Sequence, residues 1–391
     1  MNYYIYVYMP KSLVLTTFFL FTALLSFAQI DSAKTSVQAD TAKKKVSKFD
    51  SFNQKAENLF KYIPVPLYSY SSEAGNIFGL AKFNLIHLSK KDTLSKPSKI
   101  SEVVSWSTKG RINASVSTEL SMHHDNILVN GYVNYKKQPE YILGIGNDVS
   151  LDSAHQVQYD RFQFVANPMF KVKPHLYVGV AFQLADYFSI KPDSNSFLIR
   201  DNVTGVNGGF EIGLGIAAAY DTRDNRYNPS KGVFVFTNFL GFPSFLGSHY
   251  QFSKFQLDCR KYFNPWLKHV IAIQAYTSAS GGDVPFYELS LLGGDSRMRG
   301  YYQGAIRDKV LVDGQVEYRM PVWNIFGVTG FIGTGRVADM YSHLSLDGFY
   351  LSYGGGIRIR VDSKNNTNLR FDMGFGPHGV SGFYINFAEA F

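Results

Sequence analysis

The sequence predicts an all-β fold, a transmembrane antiparallel β-barrel of about 16 strands, on three observations. Apolar and polar residues alternate over long stretches, and the joints between those stretches run short and long in turn. Aromatics reach 16% and glycines number 34, while mean hydropathy is only −0.11. In a membrane barrel lipid-facing and lumen-facing side chains alternate, so hydropathy cancels while aromatic girdles and glycine kinks accumulate. A soluble sandwich shares the alternation, but about 320 residues of continuous strand pattern exceed one ordinary core.

Residues 1–28 read as an export leader. Lys11 precedes an apolar run from Leu13 to Phe27, and Ser26-Phe27-Ala28 offers small residues at the two positions a signal peptidase reads. About fifteen apolar residues fall short of the roughly 20 that a spanning helix needs, so cleavage before Gln29 is expected rather than anchoring. Met9 would serve as a start as well as Met1, since Met1 to Tyr8 adds nothing a leader needs.

Residues 29–63 are expected to lie in the periplasm. Gln29 to Val46 is rich in Ser, Thr, Ala and Lys and reads as disordered. Phe49, Phe52, Ala56, Leu59 and Phe60 then recur at the spacing of a short amphipathic helix ahead of Pro64 and Pro66. The formal charge is +8, with Lys34, Lys43, Lys44, Lys45 and Lys48 clustered in this tail. In an exported chain that means a solvated segment or an attraction to anionic surfaces, not a nucleic-acid interface.

Residues 64–391 carry the strand pattern, clearest near the end. Over 350–362, Leu351, Tyr353, Ile357, Ile359 and Val361 alternate with Ser352, Gly356, Arg358, Arg360 and Asp362. Over 368–375, Leu369, Phe371, Met373 and Phe375 alternate with Asn368, Arg370, Asp372 and Gly374. The last strand sets Phe383, Ile385, Phe387 and Phe391 against Tyr384, Asn386, Ala388 and Ala390. Export and the aromatic content point the apolar set toward lipid.

Short joints, expected in the periplasm, fall near 109–110, 136–140, 170–174, 222–231, 263–267, 321–324 and 362–367. Long ones, expected outside, fall near 89–99, 149–156, 188–207, 281–308 and 337–348. Counted this way the barrel starts with a strand from Asn76 to Leu88 and ends at Phe391, with Gly79 and Gly382 loosening its two edges. The least regular pair is 111–122 with 126–136.

The loop 281–308 contains Gly293-Gly294-Asp295-Ser296-Arg297-Met298-Arg299-Gly300-Tyr301, whose glycines permit the close-packed backbone of a loop folded back into a lumen. Ahead of it stand Asp221-Thr222-Arg223-Asp224-Asn225 and Asn228-Pro229-Ser230-Lys231-Gly232; after it come Glu317-Tyr318-Arg319-Met320-Pro321 and a terminal Phe391. In this order the segments resemble the BamA/TamA/FhaC superfamily of outer-membrane assembly and secretion barrels (the bacterial surface-antigen type of barrel domain), over roughly residues 64 to 391.

The resemblance implies an inward-folded extracellular loop whose tip, Arg299-Gly300-Tyr301, is held in the lumen by carboxylates of the next two strands. Glu317 matches one of them. The other is the Asp of a Phe-x-Asp-x-Gly pattern, and this chain reads Phe331-Ile332-Gly333-Thr334-Gly335, with Gly333 in its place. The hold is therefore expected to rest on Glu317, helped by Asp372 or Asp313, because an unpaired buried guanidinium would cost several kcal/mol. Phe391 is implied as the terminal residue read by the outer-membrane assembly machinery. Relatives usually carry POTRA modules ahead of the barrel, and residues 29–63 leave no room for one.

Asp221, Asn225 and Asn228-Pro229 are turn formers, Gly232 relieves a tight approach, and Asp221, Arg223, Asp224, Arg226 and Lys231 can pair locally across a periplasmic hairpin, a structural reading preferred to a functional one. Those carboxylates are interleaved with cations, His123-His124 has no further His or Cys at metal spacing, and the lone Cys259 has no partner. No metal and no cofactor are expected. The chain has no Gly-x-Ser-x-Gly elbow, phosphate loop or zinc-protease motif, and Arg299 and Arg319 crowd Glu317 and Asp313 toward ion pairing, so enzymatic activity is not expected. The expected setting is a monomeric barrel in the bacterial cell outer membrane, its partners the lipid bilayer and client or helper proteins in the periplasm or outer membrane. Three functions follow from the resemblance: assisting protein insertion or translocation with a helper, serving as a non-transporting surface barrel, or exporting one polypeptide as two-partner barrels do.

Overall fold

The computed structural model describes residues 64–391 except 72–74, 90–91, 93–94, 151–153 and 364–365, so the leader, polar tail and amphipathic segment lie outside the described residues. The strands are β1 (Val65–Ser71), β2 (Gly75–Ile86), β3 (Ser98–Ser107), β4 (Ile112–Met122), β5 (Ile127–Ile142), β6 (Gly144–Ile145), β7 (His155–Lys173), β8 (Leu176–Pro192), β9 (Gly209–Asp221), β10 (Gly232–Phe242), β11 (Phe252–Phe263), β12 (Val270–Gly282), β13 (Ser290–Leu291), β14 (Ile306–Asp308), β15 (Val310–Trp323), β16 (Phe326–Ala338), β17 (Tyr350–Asp362), β18 (Thr367–Phe375) and β19 (Ser381–Phe387). All but β6, β13 and β14 join one 16-stranded antiparallel sheet in chain order, a nearly closed barrel; those three form a small separate sheet.

The wall is inverted relative to a soluble protein. On β17, Leu351, Tyr353 and Ile357 are exposed outside, whereas Ser352 and Arg358 are buried within. Alternation with period two forces this once one face meets lipid and the other a polar lumen.

The long connections 193–208, 283–309 and 339–349 gather at one end, which is therefore the extracellular one. Two of them plug it. A short helix, α1 (Phe197–Arg200), capped by the Ser196 side chain, puts Leu198 into an apolar cluster with Phe286, Leu289, Ile142, Phe242 and Phe252.

Three expectations change near the first strands. The barrel opens with β1, not with Asn76–Leu88; Pro66 lies within β1, which an edge strand tolerates because no ladder bond is demanded of its missing N–H. Gly79 consequently sits inside the sheet, between β1 and β3. Residues 136–140 are no turn: Pro139 pairs with Gln158 well inside β5, which extends past the expected break. One strand gained and one lost leave the total at 16 but reverse the parity between them, so 87–97 lies at the periplasmic end and 108–111 at the outer one.

The last residues also depart from the pattern. β19 stops at Phe387, Ala388 adopts φ 69°, and the chain turns into the lumen. Phe391 is buried there with Tyr262, Ala272 and Ala390 instead of facing lipid with Phe383. Its expected place in the last strand is thus corrected.

Candidate functional site: a lumenal arginine–carboxylate network

The loop 283–309 runs back into the barrel, and its tip is pressed flat against β18. Gly300 (φ +113°) lies so near the backbone of Gly374 and Phe375 that a Cβ would sit 2.9 Å from Phe375. A Cβ on Gly374 would in turn lie 2.5 Å from the Arg299 carbonyl. Only glycine at both positions permits this approach.

Arg299 is fully buried at the centre of a charged network. It donates to Glu317 at 2.6 Å and to Asp372 at 2.7 Å, and its guanidinium lies 3.5 Å from the centre of the Phe331 ring. Glu317 also accepts from Arg319 at 2.8 Å; Asp372 accepts from Arg358 at 2.6 Å and from Arg370 at 2.8 Å. Neither carboxylate has any exposure, and desolvation of this kind is tolerable only when each charge is met by several opposite ones. Gly333 faces the Gln315 side chain across the ladder, where a Cβ would come within 3.0 Å of Gln315 Cβ. Asp372, two strands further on, supplies the second carboxylate.

Neighbouring contacts fix the rest of the loop. Ser352 donates to the Arg299 carbonyl at 2.5 Å, the Gly300 amide donates to the Tyr384 hydroxyl at 3.0 Å, and Tyr301 donates to the Leu351 carbonyl at 2.9 Å. Burial and the nearby Tyr350 push the Tyr301 phenol up to about 12. Asp313 does not reach Arg299; it takes Arg297 at 2.5 Å, which also lies 3.3 Å from the Tyr276 ring centre.

At the periplasmic mouth three segments meet. In the turn 222–231 Arg223 makes a bidentate pair with Asp221 at 2.9 Å and packs over Phe234, while Asp224 accepts from the Ser230 hydroxyl and the Asn225, Ser230 and Lys231 amides. Gly232 (φ +111°) passes too close to Thr222 for any Cβ. The turn bends inward: Tyr227 donates to the Pro97 carbonyl and accepts, through its own carbonyl, from the Glu389 amide. Glu389 in turn receives Arg358 at 2.7 Å and Asn368 at 2.7 Å. Arg319 completes the junction, donating to the carbonyls of Pro229, next to Asn228 in the turn, and of Phe391.

Sequence reasoning brings Arg299, Glu317 and Phe331 to one place, where the structure also puts them. It ranks Asp372 as an auxiliary and assigns no role to Arg358, Arg370 or Glu389. The first two were within reach, since a charge on the lumenal face of a lipid-surrounded strand needs a lumenal partner. Glu389 was missed although it carried a signal: a charge at the parity of Phe383, Ile385, Phe387 and Phe391 breaks the outward apolar set where the chain turns inward.

A protein-family profile described as Omp85 superfamily domain matches residues 90–391. No curated protein sequence matches the chain. Among solved structures the barrel resembles CdiB from Escherichia coli (TM-score 0.53, 10% identity, 84% of this chain and 62% of that one). It also resembles BamA from Haemophilus ducreyi lacking POTRA domains 1–3 (TM-score 0.49, 13% identity, 90% of this chain and 79% of that one) and CdiB from Acinetobacter baumannii (TM-score 0.49, 12% identity, 81% and 58%). The chain thus spans about three fifths of the two CdiB proteins. With a family match over most of its length and a 16-stranded, nearly closed barrel around a charged lumen, the chain belongs to the Omp85 superfamily of the bacterial outer membrane.

Proposed function

We propose that this barrel assists the insertion or translocation of proteins at the outer membrane by offering an openable seam, working with a helper protein. The observation that carries the reading is the edge. β1 pairs only with β2, β19 pairs only with β18, and among the described residues no ladder joins β1 to β19 although the two lie side by side. Unpaired donors and acceptors on adjacent edges are what an incoming strand can use. Below the end of β1, Phe83 of β2 stacks on Phe387 of β19 with ring centres 4.4 Å apart, so the seam is held there by side chains.

The inward loop reaches this seam directly: Asn386 of β19 donates to Asp295 at 2.5 Å, and Tyr384 takes the Gly300 amide. The loop is therefore positioned to couple the lumenal network to the edge that opens. A leader at 1–28 and a periplasmic segment at 29–63 belong to the same reading, the latter being the natural place for a helper to engage.

The test is a reducible thiol cross-link between Cys residues introduced at Phe83 and Phe387, in a Cys259→Ser background. The cross-linked barrel is expected to stay folded and to lose support of outer-membrane protein assembly until reductant is added. Full activity with the seam closed would eliminate the strand-addition reading.

A further inference from the structure

The lumen encloses a cavity of about 1020 Å³ between the extracellular plug and the periplasmic mouth. Its size matches small-molecule sites, roughly 300–1,000 Å³. One stretch of its lining is electrostatically unbalanced. Lys136 on β5 and Arg161 on β7 stand directly opposite one another, in a row that continues to Asn113 on β4 and Tyr187 on β8. Like charges facing each other across a ladder are destabilising.

The nearby carboxylates are already taken. Glu140 accepts from Arg307 at 3.1 Å and from Tyr159 at 3.0 Å; Glu288 accepts from Lys254 at 2.6 Å, Tyr187 at 2.9 Å and Gln183 at 3.0 Å. Among the described residues neither Lys136 nor Arg161 has a carboxylate within 4.0 Å. Arg161 is oriented by Asn134, to which it donates at 2.6 Å and which itself donates to Asn113 at 2.8 Å, while its Nε is buried without a partner. Around Arg299 each guanidinium has a carboxylate within 4.0 Å, whereas here neither cation has one.

We propose that Lys136 and Arg161 form the anion-binding end of a lumenal site for a small hydroxylated phosphate, of the sugar-phosphate class. An oxyanion between the two cations replaces their repulsion by two charge-assisted contacts, and a guanidinium already fixed by Asn134 suits the planar geometry of phosphate recognition. Asn113, Gln163 and Tyr132, which line the same part of the cavity, supply amide and hydroxyl partners for the ligand's hydroxyls.

The experiment is calorimetric titration of the folded full chain in detergent micelles with glucose 6-phosphate, and with glucose as the uncharged control. Saturable binding of the phosphate only is expected, at least tenfold weaker in Lys136→Met and in Arg161→Gln, both verified as folded by heat-modifiable gel mobility. Ligand-free Lys136→Met should also melt at a higher temperature than the parent, because the repulsion is gone. Absence of saturable binding, equal binding of glucose, parental affinity in either variant, or a melting temperature for Lys136→Met no higher than the parent's would each overturn the proposal.

Discussion

Arg319 donates at 2.8 Å both to the Glu317 carboxylate and to the main-chain carbonyl of Phe391, so one guanidinium joins the loop network to the inward-turned tail. It also donates to the Pro229 carbonyl. Replacing it by Lys keeps the charge but loses the fork that serves three acceptors. Arg319→Lys is expected to free the turn and tail and to raise ion conductance across planar bilayers several-fold. Phe391→Ala should do the same while reaching the membrane in normal amounts, since its ring packs in the lumen; a defect in membrane arrival with unchanged conductance would contradict this.

The Arg299 network should behave as a unit. Glu317→Ala leaves Arg299 and Arg319 short of a carboxylate, at a cost of about 3–5 kcal/mol; Arg299→Ala, which leaves Glu317 to Arg319 and Asp372 to Arg358 and Arg370, should cost less, and the double change should cost less than the sum. Arg299→Lys should restore only part. Denaturant unfolding of the barrel measures the cycle, and additive effects would show that the two side chains are not coupled.

Gly374→Ala should mimic Arg299→Ala without touching a charge, because its methyl group would occupy the space of the Arg299 carbonyl. Gly330→Ala, which meets nothing within 4 Å, is the control. Accessibility of a Cys placed at Ser296 to a membrane-impermeant thiol reagent should rise in the first and stay unchanged in the second.

Acid should loosen the outer plug through Glu288, which lies in the loop and not in the wall. Burial opposes its ionisation, but Lys254 and the hydrogen bonds from Lys254, Tyr187 and Gln183 hold its carboxyl below the usual 4.5. A lowered folded value means the contribution is complete above about 4.5 and is lost as pH falls through the folded value. Protease cleavage in 283–309 should therefore rise on acidification below that range in the parent, and Glu288→Gln should show raised cleavage already at pH 7.

The wall was legible because its chemistry is periodic: Leu351 to Val361 and Phe371 to Phe375 announce their faces residue by residue. The turns were legible where Asn, Asp and Pro cluster, as at Asp221 to Pro229. What failed was local. Pro139 looks like a breaker, yet it lies within a long strand paired to β7, and Pro66 looks like an entry segment although an edge strand accepts it. Asp372 could not be set above Asp313 from sequence, because which lumenal carboxylate meets Arg299 depends on where the loop lands, a long-range packing outcome.

The strands differ greatly in length. β7 and β8 contain 19 and 17 residues, whereas β1 and β19 contain 7 each. At roughly 3.3 Å per residue and a tilt near 40°, the tall side rises about 45 Å and the seam side about 18 Å, against an apolar band of about 25 Å. The lipid bordering the seam meets a wall lower than its own hydrocarbon thickness, and it accommodates by thinning, at fractions of a kcal/mol per Å. The wall is thus a wedge in height, and under the function proposed above a polypeptide entering at the short side would cross less hydrocarbon than on the tall side.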